Sequence, residues 1–152
     1  MHIHLDDYLE TAQGRIWTIK RNQYAWEQCF QDLYDEIRLN KHVHKIYILI
    51  GAQASGKTTW AKLKNREEPN NIIFDAILVK RTERKRILDI AISHKIQCIA
   101  VFFNIPLSTC LSRNKMRSID TCVNENALMN VYAAIEKPSI NEGFLEIIDI
   151  NE

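Results

Sequence analysis

The stretch from Lys45 to Lys64, KIYILIGAQASGKTTWAKLK, has three parts whose order decides the architecture. Lys45 to Ile50 is β-rich and almost wholly apolar, as expected of a strand buried on both faces of a parallel sheet. Gly51-Ala52-Gln53-Ala54-Ser55-Gly56-Lys57-Thr58 fits the pattern G-x-x-x-x-G-K-[ST], and the residues from Lys57 onward read as a helix. The two glycines let the backbone curl so that successive N–H groups point inward, and the helix N-terminus adds its partial positive charge to the same cavity. Such a cavity fits a triphosphate. The backbone from Gly51 to Thr58, continued by Thr59, would cradle the phosphates, Lys57 would reach the β- and γ-oxygens, and the Thr58 hydroxyl would ligate a bridging Mg²⁺. ATP and Mg²⁺ are therefore the expected ligand and cofactor. The rival reading is a plain glycine turn with a solvated lysine, and it leaves the strand before and the helix after unexplained.

Working outward, strands and helices alternate. Ile3 to Leu5 is a short strand candidate ending at Asp6-Asp7, and a turn-like TAQGR follows it. Trp26, Phe30, Leu33 and Ile37 then form one apolar stripe at helical spacing. After the loop helix come a strand at Asn71 to Asp75, a helix at Glu83 to His94 and a strand at Ile96 to Phe103. Helices at Leu107 to Asn114 and Asn124 to Ile135 precede a last strand at Phe144 to Ile150. Short apolar strands separated by helices imply a sheet covered on both faces. The expected class is α/β, a three-layer α-β-α P-loop NTPase fold with a mainly parallel sheet of about five strands. Only 4 glycines and 3 prolines punctuate the chain, none in a linker, so one domain over residues 1–152 is expected.

Composition narrows the class of function. The 152 residues are 46% hydrophobic, enough for one sizeable core, and 20 basic against 19 acidic residues leave a formal charge of +1. The chain lacks the overall field of a non-specific nucleic-acid binder, so any polyanion contact must be local. No apolar run approaches the roughly 20 residues that cross a bilayer. Cys29, Cys98, Cys110 and Cys122 form no C-x-x-C pair, which suits a reducing cytoplasm.

Other candidates stand outside the loop. Asp75 ends its strand at the carboxyl edge, where α/β proteins bind ligands, and reads as a carboxylate near Mg²⁺ or one orienting an acceptor, against a simple turn aspartate. Arg113, Lys115 and Arg117 cluster where a helix runs into irregular chain, a place where cations also serve as ordinary dipole partners. The run Lys80 to Arg86 puts five cations at a helix start and hints at an anion, although a solvated face is the commoner meaning. His2, His4, His42 and His44 make two i, i+2 pairs, but no cysteine or acidic partner stands at structural-zinc spacing, so a metal there is not expected. Trp26 and Trp60 read as packing residues; Trp17, beside Arg15, could approach a base.

In order, GAQASGKTTW, IIFDAILVKRTERKRILDIA, CIAVFFNIPLSTCLSRNKMR and IEKPSINEGFLEII resemble the polynucleotide-kinase-like branch of P-loop kinases, among the small AAA-type P-loop NTPases and kinases. The resemblance implies transfer of the ATP γ-phosphate to a hydroxyl, with Arg113 and Arg117 as arginines of a mobile lid over the donor phosphates. The chain departs from the family pattern at Ile77 and Leu78, where Thr and Asn are usual, and at Asn104, which replaces a frequent Asp. It also lacks the acceptor-binding strand and helix that usually lie between Ala61 and Phe74. His4-Leu5-Asp6-Asp7-Tyr8 resembles that missing element, as if the segment had been permuted to the N-terminus. On this resemblance Asp6 or Asp7 is the general base, and Arg15 a substitute for the family's arginine after D-D-Y, which is Leu9 here.

The expectation is thus a cytoplasmic kinase using ATP and Mg²⁺, with Lys57, Asp6, Asp7, Asp75, Arg113 and Arg117 as catalytic candidates and Thr58 with Asp75 on the metal. Its acceptor would be a hydroxyl, either the 5′-OH of a polynucleotide or that of a small metabolite. An ATP-binding regulatory protein with weak ATPase activity is the alternative from another class.

Overall fold

A computed structural model describes all residues 1–152. Seven strands and five α-helices occur: β1 (His2–His4), β2 (Glu10–Thr11), β3 (Gly14–Arg15), α1 (Ile19–Leu39), β4 (Lys45–Ile50), α2 (Lys57–Glu67), β5 (Ile72–Asp75), α3 (Arg81–Ser93), β6 (Gln97–Asn104), α4 (Leu107–Lys115), α5 (Glu125–Ala133) and β7 (Glu146–Asn151). Five strands make one sheet in the order β1-β5-β4-β6-β7, and every neighbouring pair is parallel. This is the α/β sheet that the alternating pattern predicts. The expected strand at Ile3 to Leu5 begins and ends one residue earlier, because Leu5 to Tyr8 turns into a 3₁₀ helix. The TAQGR turn is the tip of the β2-β3 hairpin, where Gly14 takes a φ of 97°.

Burial explains the layers. In β4, Ile46, Ile48 and Ile50 point to one face and Tyr47 and Leu49 to the other, and all five are buried. The first face packs on Ala25, Cys29, Phe30 and Leu33 of α1 and on Ile87, Leu88, Ile90 and Ala91 of α3. The second packs on Ala61 of α2, Cys110 of α4 and Leu128 of α5. Period-two alternation in a strand covered on both sides requires this division. Trp26 stacks on Phe30 and Phe74, and Trp60 meets Tyr47 and Phe103 edge-on, so both serve as packing residues. No helix is long and apolar enough to cross a membrane.

The basic run departs from the anion-binding hint. Arg84 is fully buried and used up internally. Its Nε and Nη2 donate to the two Glu142 oxygens at 2.9 and 3.0 Å, and its Nη1 donates to the carbonyls of Leu78, Val79 and Glu136. Arg81 donates to Asn141, Lys85 to Asp89, and Arg86 lies over the Phe30 ring. Arg81 and Arg84 hold α3 to the segment before β7, while Lys80, Lys85 and Arg86 stay exposed. Four of the five cations match the solvated face, and Arg84 departs from it because its partner Glu142 lies far along the chain, where a local charge count cannot see it. Leu78, one of the two departures from the resemblance, sits in the core and lends its carbonyl to the same arginine.

At the other end of α2, the Glu68 carboxylate accepts from Tyr47 Oη, Asn71 Nδ2 and Lys64 Nζ, each at 2.8 Å. The Lys64 hydrogen bond, helped by Tyr47 and Asn71 against the effect of burial, holds Glu68 down to about 2.

Two outcomes follow from these anchors. Arg84→Ala leaves the buried Glu142 charge with only the longer 3.7 Å ion pair to Arg81 and is expected to cost about 3–5 kcal/mol, read as a large fall in thermal midpoint. Because the folded-state pKa of Glu68 is depressed, its contribution is full above about 4.5 and lost as pH falls toward about 2. The stability gap between wild type and Glu68→Gln should therefore close over that window in acid unfolding.

Candidate functional site

The carboxyl end of β4 leads into the loop Gly51 to Gly56, and α2 starts at Lys57. Ala54 and Gly56 both adopt positive φ, 61° and 103°, which folds the loop back on itself in the manner of an anion-binding nest. Gly56 caps α2 with no side-chain hydrogen bond, so the positive helix end faces the loop. Gly51 has no room for a side chain, since a methyl there would lie 2.9 Å from both Phe103 Cβ and Ser55 Oγ. Ser55 Oγ and Gln53 Oε1 are buried without a hydrogen-bond partner. A cradle with spare polar atoms under a helix N-terminus fits a phosphate chain.

Lys57 curls back into the loop, donating from Nζ to the carbonyls of Gly51 at 2.8 Å and Ala52 at 2.9 Å. Burial lowers its pKa, the Arg117 charge lowers it further, and Asp75 and Asp6 oppose both. Thr58 Oγ1 donates to Asp75 Oδ2 at 2.8 Å, which brings together the two residues expected to hold a metal. Their hard oxygen donors fit Mg²⁺. Asp75 is almost fully buried. Burial pushes its pKa up, but the His2 hydrogen bond, the charges of Lys57 and His4, and the Thr58 hydroxyl outweigh it and hold the carboxylate below its ordinary range.

The N-terminal segment reaches the same edge. The parallel register sets His4 of β1 opposite Asp75 of β5. The following 3₁₀ turn separates the two aspartates. Asp6 lines a cavity of about 460 Å³ together with Lys57, Thr58, Asp75, Arg15, Trp17 and Ile77. Its carboxylate takes a 2.9 Å ion pair from Arg15 Nη1. Asp7 is not part of that wall; its side chain is 69% exposed and meets His4 Nδ1 at 3.2 Å.

A second, more open groove of about 610 Å³ lies on the other side of the loop, walled by Trp60, Phe103, Arg113 and residues 150–152. Ala54, Ser55, Gly56, Thr59 and Arg117 border both spaces, so the loop stands between them. Arg113 Nη1 donates to Ser55 O at 3.4 Å, and Arg117 Nη1 to Thr121 O at 3.4 Å. The chain between α4 and α5 is closed by Asn114, a buried residue whose side chain donates to Val123 O at 2.7 Å and accepts from Val123 N at 3.0 Å. Sequence reasoning passed over Asn114 and the approach of His2 and His4 to Asp75. For Asn114 the signal was a polar residue on an otherwise apolar helix face; for the histidines it was their i, i+2 spacing on a strand.

Gly51→Ala should cost about 1–3 kcal/mol from the forced contact with Phe103. Thermal unfolding gives that loss, and nucleotide titration should show weaker phosphate binding because Ser55 must move.

No curated protein matches the chain. Residues 63–138, half of the chain, match the family described as AAA domain, and the matched span begins within α2, after the phosphate loop. The chain belongs to this AAA domain family, and it is a P-loop kinase-like protein of nucleotide-binding type.

Proposed function

We propose that the chain is a kinase that moves the γ-phosphate of ATP to a hydroxyl group held in the 460 Å³ cavity. The observation that carries the reading is the phosphate loop standing between two spaces, one of them walled by a carboxylate, Asp6, that the buried Lys57 also feels. The groove beside Trp60 and Arg113 would take the nucleoside of ATP. The loop amides from Gly51 to Thr59 and Lys57 would hold the phosphates, and Lys57 would exchange its two carbonyl partners for phosphate oxygens. Thr58 and Asp75 would hold Mg²⁺, which supplies charge neutralisation on the β- and γ-phosphates when bound. Asp6, oriented by Arg15, would accept the acceptor's proton as its oxygen bonds to the γ-phosphorus and ADP leaves. Arg113 and Arg117 would neutralise the charge that builds on the transferred group.

The cavity volume suits a small ligand or one terminal nucleoside. Arg84, the one buried cation of the Lys80 to Arg86 run, is engaged by Glu142 and three carbonyls, and none of the five lines the 460 Å³ cavity, which favours a small acceptor over a long polynucleotide track. The edge position of β1, parallel to β5, supports reading His4 to Tyr8 as the family's acceptor-side element moved ahead of the loop within one domain over 1–152. With ATP and a P-loop fold, a cytoplasmic setting is the natural one.

The test is label transfer from γ-labelled ATP with Mg²⁺ to nucleosides, 5′-hydroxyl oligomers and a metabolite extract. Lys57→Ala should abolish transfer, and Asp6→Asn should lower turnover by about 10²–10⁴-fold while Asp7→Asn stays near wild type. Equal rates in all three aspartate forms would remove Asp6 as base. ATP binding without any Lys57-dependent label would favour a regulatory ATP-binding protein instead.

A further inference from the structure

We propose that His2, His4 and Asp75 form a binding site for a transition-metal ion of the Zn²⁺ type, at the sheet edge beside the phosphate loop. The argument starts from strand geometry. Side chains two apart on a strand share a face, so His2 and His4 stand side by side, their rings stacked with centroids 5.4 Å apart. The parallel register then sets Asp75 of β5 opposite His4 on that face, the one covered by α2. Sequence spacing offered these histidines no acidic partner; the fold supplies one from the far end of another strand.

The distances suit an ion. His2 Nε2 lies 3.2 Å and His4 Nε2 3.8 Å from Asp75 Oδ2, and the ligand atoms of all three residues fall within 4.8 Å of one another. Tetrahedral sites with bonds of about 2.0–2.1 Å have ligand atoms roughly 3.3–3.4 Å apart, which lies between the two separations. The outer contacts are in place as well. His4 Nδ1 meets Asp7 Oδ1 at 3.2 Å, the carboxylate–histidine arrangement that fixes the tautomer presenting Nε2 to a metal. Thr58 Oγ1 donates to Asp75 Oδ2 at 2.8 Å. Both imidazoles are 14% exposed and the carboxylate 3%, so the groups are held in place yet reachable from the cavity that His4 and Asp75 line. Three protein ligands with an open fourth position describe an exchangeable site rather than a closed structural one. Two imidazoles select Zn²⁺, Co²⁺ or Ni²⁺ over Mg²⁺, which keeps to oxygen. Asp7 thereby becomes a positioning residue for His4.

The experiment is a titration of the full chain, without an oligohistidine tag and without nucleotide, with Co²⁺ read by visible absorption and with Zn²⁺ as competitor. Omitting nucleotide keeps the result independent of the kinase reading. One ion per chain is expected, retained in millimolar Mg²⁺, which shares Asp75 but takes no imidazole ligand. His2→Gln and His4→Gln should each weaken binding by at least about 10–100-fold, while His42→Gln and Cys122→Ser leave it unchanged. Imidazole NMR of the wild-type chain gives the answer without any variant: Zn²⁺ should perturb His2 and His4 and spare His42, His44 and His94. Absence of saturable binding, perturbation of the other histidines instead, or full affinity in His2→Gln and His4→Gln would overturn the proposal.

Discussion

One buried carboxylate ties the site together. Asp75 keeps its charge in a nearly solvent-free position, and a buried charge is tolerable only where hydrogen bonds and opposite charges surround it. Its partners come from two segments far apart in the chain: His2 and His4 from β1, and Thr58 with the field of Lys57 from the first turn of α2. Each segment is constrained by having to meet the same atom. The seat of α2 on the sheet and the docking of the N-terminal strand thus share one anchor, Asp75, at the end of β5.

A sheet with the loop strand in the middle makes this convergence natural. β4 pairs with β6 along its whole length and with β5 over Ile46 to Ile48, so it is held in the middle of the sheet, and the glycine at its exit fits against Phe103 of the neighbouring strand. Around that fixed point lie a groove bordered by Arg113 and a cavity bordered by Asp6. Two spaces thus border one phosphate cradle, the arrangement on which the proposed transfer rests.

Much of this was readable from residues because it is local. The apolar run of β4, the glycine pattern and the helix after it are contiguous, and burial on both faces leaves the same compositional mark in β4, β5 and β6. What was not readable is non-local. Asp6 and Asp7 look alike in sequence; only the 3₁₀ turn beginning at Leu5 turns one toward the cavity and the other toward solvent. Arg84 looked like part of a basic patch because its partner, Glu142, lies beyond two helices and a strand. The histidines looked unpartnered for the same reason, since strand order rather than spacing brings Asp75 to them.

The edge strand itself has a kinetic meaning. β1 is three residues long and pairs only with β5, with His2 in register with Ile73. Closing so long a stretch of chain for so short a strand gains few contacts for the entropy lost, so this pairing belongs among the last steps of folding and the first to open. The loop and its helix form within the central sheet and do not wait for it. The molecule can thus pass through a state in which the phosphate cradle is complete and the wall carrying His4 and Asp6 is undocked, a state in which a nucleotide could be held and nothing positioned beside it.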